Sequence, residues 1–407
     1  MMEQETQRIS VEQLQRQIRE EILGNMDLTR EMEDAEIWEL IEEKVIRYGK
    51  QYGLHIREKE ALGRQVFNTL RKLDVLQELV DDPTVSEIMI NGPNQIFVER
   101  KGELFLWEKT FSSKEKLEDV IQQIVAKGNR MVNETTPIVD TRLENGSRVN
   151  VVLAPIALNG PIVTIRRFPD HPFTMDDLLA KNTLSEEVAL FLKTMVEAGE
   201  NIFVSGGTSS GKTTFLNVLG NYIPQKERII TIEDSAELNL KNVENLVRLE
   251  TRNENAEGKN EISIRDLIRS ALRMRPDRII VGEVRAGEAL DMISAMNTGH
   301  DGSLSTGHAN SCTDMLKRLE MMILMAVDMP VSAIRGQIAA GIDLMVHLGR
   351  TRSGARKLMA IDEVCGYEDG EIRLNPIYRY HAAGGAYETE GWEKVGEMEH
   401  TEKLMRA

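Results

Sequence analysis

Residues 201–214 read NIFVSGGTSSGKTT, which is a short apolar run, a glycine-rich segment and the start of a helical pattern. Gly206, Gly211, Lys212 and Thr213 fit the phosphate-loop pattern GxxxxGK(S/T). Glycines let backbone N–H groups curl around a phosphate because no Cβ is in the way. The lysine of such a loop reaches the β- and γ-phosphate oxygens, and the hydroxyl after it ligates Mg²⁺. The stretch therefore predicts a nucleotide-binding protein.

The predicted nucleotide contacts are consecutive residues of this loop and of the helix that follows it. The N-terminus of that helix adds a partial positive charge next to the phosphates. The predicted binding residues are Gly206, Gly207, Thr208, Ser209, Ser210, Gly211, Lys212, Thr213 and Thr214.

Composition sets limits on the class of protein. A chain of 407 residues is long enough for two or three domains of ~100–200 residues each. With 50 Lys and Arg against 66 Asp and Glu, the net charge of −16 argues against a general affinity for nucleic acid or anionic lipid. The two cysteines, Cys312 and Cys365, form no CxxC motif and indicate neither a disulfide framework nor a cysteine zinc site. We find no signal peptide and no apolar run long enough to cross a bilayer, so we expect a cytoplasmic protein without direct membrane insertion.

The pattern of apolar, polar and proline residues changes several times along the chain and predicts five segments. Three amphipathic helices over residues 1–78 form a bundle or dock on a partner. Residues 79–168 mix strand-like runs with one helix and predict an α+β domain, and the proline-containing stretch 169–175 predicts a stiff linker. Strands alternating with helices over residues 176–380 predict an α/β domain with a parallel sheet that ends antiparallel. Residues 381–407 are a polar tail to which we assign no structure.

Two acidic residues follow apolar strands of the predicted sheet, at the edge where such sheets bind ligands. Glu233 ends the run ITIE, and its carboxylate is a candidate to orient the attacking water or to support the metal shell. Glu283 ends RIIVGE and resembles the acid of a Walker B element, which contacts Mg²⁺ through water. Without the phosphate loop, the acidic pair Glu233 and Asp234 would be read as part of a solvated loop or a helix cap.

Histidines and arginines complete the set of candidates. His300 and His308 flank a strand-like run; their spacing, with no cysteine nearby, is poor for zinc, so we expect them to sense the γ-phosphate or a neighbouring subunit. Phosphoryl transfer needs positive charge on the developing γ-phosphate oxygens, which a guanidinium supplies. Of Arg142, Arg148, Arg166 and Arg167 in the α+β domain, Arg166 and Arg167 are next to the linker and could provide it if the domains close over the nucleotide.

The order of these motifs is similar to that of a known family. GGTSSGKTT, TIEDSAEL and RPDRIIVGEVRAGEALDMISAMNTGHDGSLSTGHANS resemble the Walker A motif, Asp box, atypical Walker B motif and His box of the type II and type IV secretion ATPase superfamily. The upstream segments DPTVSEIMINGPNQIFVER and DTRLENGSRVNVVLAPIALNGPIVTIRRF resemble its N-terminal domain. The residues of these motifs are most similar to those of the CpaF-type motor of tight-adherence (Tad) pilus assembly. The type IV secretion traffic ATPases are the second most similar group.

The resemblance implies a RecA-like phosphate-loop ATPase domain, an N-terminal PAS-like α+β domain and a hexameric, Mg²⁺-dependent motor that uses ATP at the cytoplasmic face of the inner membrane. Its partner would be an inner-membrane pilus platform protein. The implied catalytic residues are Glu233, Glu283, Arg148, Arg166, His300 and His308, with Thr213 and Glu283 at the metal. The residues leave open a nucleotide-gated scaffold with little turnover, and a nucleic-acid translocase that the acidic charge opposes.

Overall fold

The computed structural model describes residues 11–25, 32–100, 102–167, 172–252, 260–384 and 389–405. The chain divides into two compact units, Met1–Asp170 and His171–Ala407. The helices are α1 (Val11–Asn25), α2 (Asp34–Gln51), α3 (Ile56–Arg71), α4 (Gln77–Asp81), α5 (Lys114–Lys127), α6 (Met175–Ala180), α7 (Glu186–Ala198), α8 (Lys212–Gly220), α9 (Ile264–Ala271), α10 (Glu288–Met296), α11 (Cys312–Ala326) and α12 (Val331–Gly341). The strands are β1 (Val85–Asn91), β2 (Ile96–Arg100), β3 (Glu103–Leu106), β4 (Ile138–Arg142), β5 (Arg148–Val152), β6 (Ile162–Arg166), β7 (Ile202–Gly206), β8 (Arg228–Glu233), β9 (Asn245–Glu250), β10 (Arg278–Val281), β11 (Leu304–His308), β12 (Leu344–Arg350), β13 (Arg356–Glu368), β14 (Glu371–His381) and β15 (Gly391–Lys394).

The three predicted amphipathic helices are present as α1, α2 and α3 in the first unit. Each contributes one apolar stripe to a common core, as expected when residues three or four apart share a helix face. That core contains Leu14, Ile18, Ile22, Ile37, Ile41, Val45, Leu62 and Val66. In the described residues the three helices thus pack their apolar stripes against one another, as the helices of a bundle do.

The rest of the first unit is a six-stranded antiparallel sheet covered by α5. The strand order is β3-β2-β1-β6-β5-β4. Helix α5 begins after Ser113, whose side chain accepts a hydrogen bond from the Lys116 N–H, and its apolar face joins the buried face of the sheet. The mixed helix and strand content predicted for this region is confirmed.

The second unit contains a nine-stranded sheet in the order β15-β14-β13-β12-β7-β11-β10-β8-β9. The strands from β12 to β9 run parallel, and β13, β14 and β15 add antiparallel at one edge. One core packs α7 and α8 against one face, and a second core packs α10, α11 and α12 against the other. The central strand β7 is buried along its whole length, which places the segment after it at the middle of the sheet edge.

Three strands, β9, β14 and β15, were not predicted from the sequence. β9 is an edge strand whose residues alternate between exposed and half-buried, so it lacks the apolar run that marked its neighbours. The polar tail assigned to residues 381–407 is corrected in part, because β15 pairs with β14 and extends the sheet. The Trp392 indole N–H holds β15 in place by donating to the Leu358 carbonyl at 2.7 Å. Residues 169–171 of the predicted linker lie outside the described residues, and α6 begins at Met175.

No helix within the described ranges combines the length and the apolar character needed to cross a membrane. Cys312 and Cys365 are both buried free thiols.

Candidate nucleotide-binding site

The predicted phosphate loop joins β7 to α8, as its sequence requires. Ser209 and Gly211 adopt left-handed conformations with φ of 56° and 96°, which a glycine tolerates without strain. A Cβ on Gly206 would lie 2.5 Å from the Ser210 Oγ and 2.6 Å from the Leu348 carbonyl oxygen. Because both distances are too short for any side chain, glycine is required where the loop begins.

The Lys212 side chain lies across the loop and is 7% exposed. Its Nζ donates to the Gly206 carbonyl at 3.2 Å and to the Gly207 carbonyl at 3.1 Å. It also lies 3.2 Å from His308 Nδ1. Burial lowers the pKa of Lys212. The lysine is therefore a partly desolvated cation that backbone carbonyls hold where a phosphate loop binds its ligand.

His308 connects Lys212 to Glu283. Burial lowers the pKa of His308, which favours the neutral imidazole. A lysine ammonium can only donate, so His308 Nδ1 accepts and the ring proton resides on Nε2. This Nε2 lies 2.7 Å from Glu283 Oε1. The structure thus brings Lys212, His308 and Glu283 together, as the sequence predicts.

Arg285 is a site residue that the sequence analysis did not select. Its Nη2 donates to Glu283 Oε2 at 2.8 Å, and its Nη1 lies 3.3 Å from Asp234 Oδ2. The guanidinium therefore links the acid after β10 to the acidic pair after β8. A cation two residues after the Walker B-like acid was visible in the sequence, but nothing local indicated its second partner.

Glu233 is 3% exposed at the end of β8. Its Oε1 accepts from the N–H groups of Glu237 at 2.8 Å and Leu238 at 3.0 Å. Oε2 has no hydrogen-bond partner among the described residues. Burial raises the pKa of Glu233 to about 7. One oxygen is thus committed to holding the following loop, and the other can exchange a proton near neutral pH.

The residues present fit a nucleoside triphosphate and Mg²⁺. The cradle at Gly206 has no room for a Cβ, and the Ser210 hydroxyl is buried without a hydrogen-bond partner in the described chain. Thr213 is the second residue of α8, and Glu283 offers a carboxylate just after β10, two strands away from β7 at the same sheet edge. Hydroxyl and carboxylate oxygens are the ligands that Mg²⁺ prefers.

His300 does not join this group. Its Nδ1 lies 3.1 Å from the Ala295 carbonyl oxygen at the end of α10, before β11 begins. His308 ends the same strand and pairs with Gly206 of β7. Strand residues rise by about 3.3 Å each, so β11, about 13 Å long, lies between the two histidines. Within one chain, the structure does not bring His300 to the phosphate loop, and its expected role in sensing the γ-phosphate or a neighbouring subunit stays a prediction.

The predicted arginines of the first unit form a row across three strands. Arg142 pairs with Arg148 between β4 and β5, and Arg148 pairs with Arg166 between β5 and β6. Directly opposite residues point to the same face of a sheet, so the three guanidinium groups share one face. Asp140 lies 3.7 Å from Arg148, and Glu87 of β1 is the cross-strand partner of Arg166. Sequence alone gave these arginines no common position.

Glu363, Cys365 and His400 lie close enough together to hold a metal ion, with their ligand atoms within 4.8 Å of one another. The hydrogen bonds of Glu363 indicate a different role. The Glu363 carboxylate accepts from the N–H groups of Glu399 and His400 and from the Asn375 side chain, at 2.7–3.1 Å. Burial alone would raise its pKa, but these donors lower the pKa of Glu363. Its oxygens are already used, so this carboxylate holds the C-terminal segment.

The fold and the site are those of a nucleotide-binding α/β protein. The family model for type II/IV secretion system proteins matches residues 69–370, about three quarters of the chain. Conjugal transfer protein TrbB of Rhizobium radiobacter is 31% identical over 330 residues, which are 80% of this chain and 94% of TrbB. The chain therefore belongs to the type II/IV secretion system protein family.

Other similarities extend the comparison. An uncharacterized protein of Methanocaldococcus jannaschii is 37% identical over 275 residues, which are 66% of this chain but only 38% of that longer protein. The crystal structure of the pilus retraction motor PilT with bound ADP superimposes with a TM-score of 0.53 and 22% identity, over 74% of this chain and 82% of PilT. The PilT similarity concerns the fold.

Proposed function

We propose that this protein is an Mg²⁺-dependent ATP hydrolase, the motor subunit of a pilus-assembly or secretion machine. The observation that carries the proposal is the chain of contacts from Lys212 through His308 to Glu283 at one edge of the sheet. It joins a phosphate-binding cation to a metal-binding acid, the two requirements of phosphoryl transfer from ATP. Family membership supports the same activity.

In the proposed reaction, Lys212 exchanges its contacts with the loop carbonyls for the β- and γ-phosphate oxygens of ATP. Glu283, held by Arg285, is the acid next to Mg²⁺, and Thr213 supplies the hydroxyl ligand. Bound Mg²⁺ would neutralise charge on the phosphate oxygens. Glu233 Oε2, with the pKa of its carboxyl near 7, is the general base that takes a proton from the attacking water.

The finer features of the proposal follow the family resemblance. The second unit would be RecA-like and the α+β part of the first unit PAS-like, with boundaries at residues 1–78, 79–168, 169–175, 176–380 and 381–407. The arginine row with Arg148 and Arg166 would supply positive charge at the γ-phosphate. The chain would assemble as a hexamer at the cytoplasmic face of the inner membrane, where an inner-membrane pilus platform protein binds it; neither nucleic acid nor direct membrane insertion takes part.

Within this function, a Tad pilus motor is our first assignment. Its alternative is a traffic ATPase of a conjugation-like type IV system, and the similarity to TrbB over most of both chains favours that alternative. A nucleotide-gated scaffold with little turnover is the rival from another class. The pKa of Glu233 and its unpaired Oε2 favour hydrolysis over simple binding, because a scaffold has no use for a base.

The test is ATP turnover as a function of protein concentration, measured beside light scattering. The motor proposal predicts that specific activity rises as a ring of about six subunits assembles, because the subunits of such assemblies are symmetric and share sites. ATP binding by assembled rings without turnover, even with membranes that contain the platform protein, would favour the scaffold. Full turnover by the monomer would contradict the ring.

A further inference from the structure

The hairpin of β12 and β13 brings two arginines onto the phosphate loop. Arg350 ends β12, Arg356 begins β13, and the two are direct cross-strand partners. Their Nε atoms donate to one and the same acceptor, the Ser209 carbonyl oxygen, at 3.2 Å and 3.0 Å. These contacts connect the loop to residues 141 and 147 positions further along the chain.

The hairpin also contacts both ends of the loop. Leu348 of β12 pairs with Gly206, and its carbonyl oxygen lies 2.6 Å from the position a Cβ on Gly206 would take. Near the other end, the Arg356 Cδ lies 3.6 Å from the corresponding Cβ position of Gly211. Backbone and arginine stems of the hairpin therefore form one wall of the loop.

Two arginines at directly opposite positions destabilise a pair of antiparallel strands. Like charges at directly opposed positions of an antiparallel pair repel, and a neutral pair would stabilise the hairpin more. Hydrogen bonds from a charged donor are stronger than neutral ones, and here both are directed at a single loop carbonyl. The two arginines lie against the phosphate loop although their mutual repulsion destabilises the hairpin, and this indicates that they act on the loop.

The shared carbonyl belongs to the residue that gives the loop its shape. Ser209 has a left-handed φ of 56°, uncommon for a residue with a side chain. In a trans peptide the C=O and the next N–H point in opposite directions. Fixing the Ser209 carbonyl on the hairpin side therefore fixes the Ser210 N–H on the other side, where it donates to the Gly207 carbonyl at 3.3 Å.

We infer that Arg350 and Arg356 form an arginine clamp, two positioning residues that hold the phosphate loop in its binding conformation and so set the affinity for nucleotides. The inference rests on the proposed binding of nucleotide at this loop. It assigns the hairpin a task at the site that is separate from the chemistry of Glu233 and Glu283. Because the clamp acts on the loop and not on the γ-phosphate, it affects ATP and ADP alike.

The first measurement is the dissociation constant of fluorescent ADP and of a fluorescent non-hydrolysable ATP analogue, with the full-length protein. Arg350→Gln with Arg356→Gln should raise both constants by about tenfold or more, and by the same factor, because a lost hydrogen bond to a charged group is worth about a factor of ten. Arg352→Gln is the matched control, since Arg352 is exposed in the turn of the same hairpin. It should leave both constants within about twofold, as surface changes do.

The second measurement is amide hydrogen exchange in the nucleotide-free protein. The double variant should exchange faster at residues 207–211, with β8 unchanged, whereas Arg352→Gln should match the wild type. Unchanged affinity in the double variant would overturn the clamp. Lower affinity with unchanged loop exchange would also overturn it, because the arginines would then contact the nucleotide directly. If the wild type binds neither nucleotide, the proposed function fails, while loop exchange still tests the clamp.

Discussion

The two edges of the nine-stranded sheet use similar side chains for different purposes. The nucleotide edge, where β7, β8, β10 and β11 end, carries Lys212, Glu233, Glu283 and His308. The tail edge, where β7 and β12 begin, carries buried carboxylates and a lysine as well. Lys403 Nζ donates to Asp343 Oδ2 at 2.6 Å, and the Asn201 N–H donates to the same oxygen at 2.7 Å.

The difference lies in which partners the buried polar atoms find. At the tail edge, Lys403 and the backbone around His400 satisfy Asp343 and Glu363, so the C-terminal segment takes the place of a ligand. At the nucleotide edge, Ser210 Oγ and Glu233 Oε2 have no partner within the described chain, and Lys212 is held by weakly competing carbonyls. A buried polar or charged group that is paired within the protein stabilises the fold. One that lacks a partner in the protein is available to bind a ligand.

The largest effect that this contrast predicts is on catalysis at Glu233. Glu233→Gln keeps an oxygen for the N–H groups of Glu237 and Leu238 but removes the base, so kcat should fall by about 10²–10⁴-fold. Steady-state turnover at saturating ATP measures it, beside nucleotide binding, which should be retained. Glu244→Gln, at an exposed carboxylate just before β9, is the control. Equal kcat for wild type and Glu233→Gln would remove Glu233 from the chemistry.

The next effect is on stability at Glu363. Glu363→Ala leaves the N–H groups of Glu399 and His400 without their acceptor and takes one of two acceptors from the Asn375 amide, so it should lower the free energy of unfolding by about 3 kcal/mol or more. Urea denaturation measures the loss, while turnover per folded molecule should stay at the wild-type level. Glu368→Ala, on the exposed end of the same strand, should cost less than about 1 kcal/mol. If Glu363→Ala lowered the free energy of unfolding no more than Glu368→Ala does, the carboxylates of the tail edge would not have the stabilising role proposed for them.

His300 and His308, which lie before and at the end of β11, test the same contrast between the two edges of the sheet. His308→Ala removes the link between Lys212 and Glu283 and should lower kcat/KM by about 10–100-fold, the range of a lost site hydrogen bond. His300→Ala, at the other end of β11, should change it by less than about twofold. The same assay measures both. A loss at His300 that equals the loss at His308 would show that His300 reaches a site in the assembled protein.

The last effect is the pH dependence of stability at Glu200. Burial and the neighbouring Asp343 carboxylate raise the pKa of Glu200 above its ordinary value of 4.5. The folded state therefore binds this proton more tightly than the unfolded state, so the stabilisation is complete below pH 4.5 and is lost as the pH rises through the folded pKa. Urea denaturation between pH 5 and pH 9 should show a shallower decline for Glu200→Gln than for wild type.

Glu197→Gln is the control for this titration, because Glu197 is an exposed residue of α7 next to Lys193. Its profile should follow the wild type. Parallel profiles for wild type and Glu200→Gln would mean that Glu200 does not titrate differently in the folded state.

Sequence predicts the parts of the site that are local. The phosphate loop and the acids Glu233 and Glu283 each follow an apolar strand, so pattern and position coincide. The three amphipathic helices are predictable for the same reason, since each stripe lies within one helix.

Long-range contacts are what sequence does not show. Arg350 and Arg356 reach Ser209 only through strand pairing, and β15 is polar but joins the sheet through its backbone and Trp392. His300 shows the same limit, because it is close in sequence to His308 but lies before β11, whereas His308 ends that strand beside Gly206. Prediction fails where the partner of a side chain is set by topology.

The central claim is that the nucleotide edge hydrolyses ATP with Glu283 as its metal-binding acid. The most direct test compares ATP binding and turnover by wild type and Glu283→Gln in Mg²⁺. The account predicts that Glu283→Gln binds ATP within about threefold of wild type but turns it over about 10³-fold more slowly, because transition-state charge is no longer compensated. Turnover by Glu283→Gln at the wild-type rate would contradict the account.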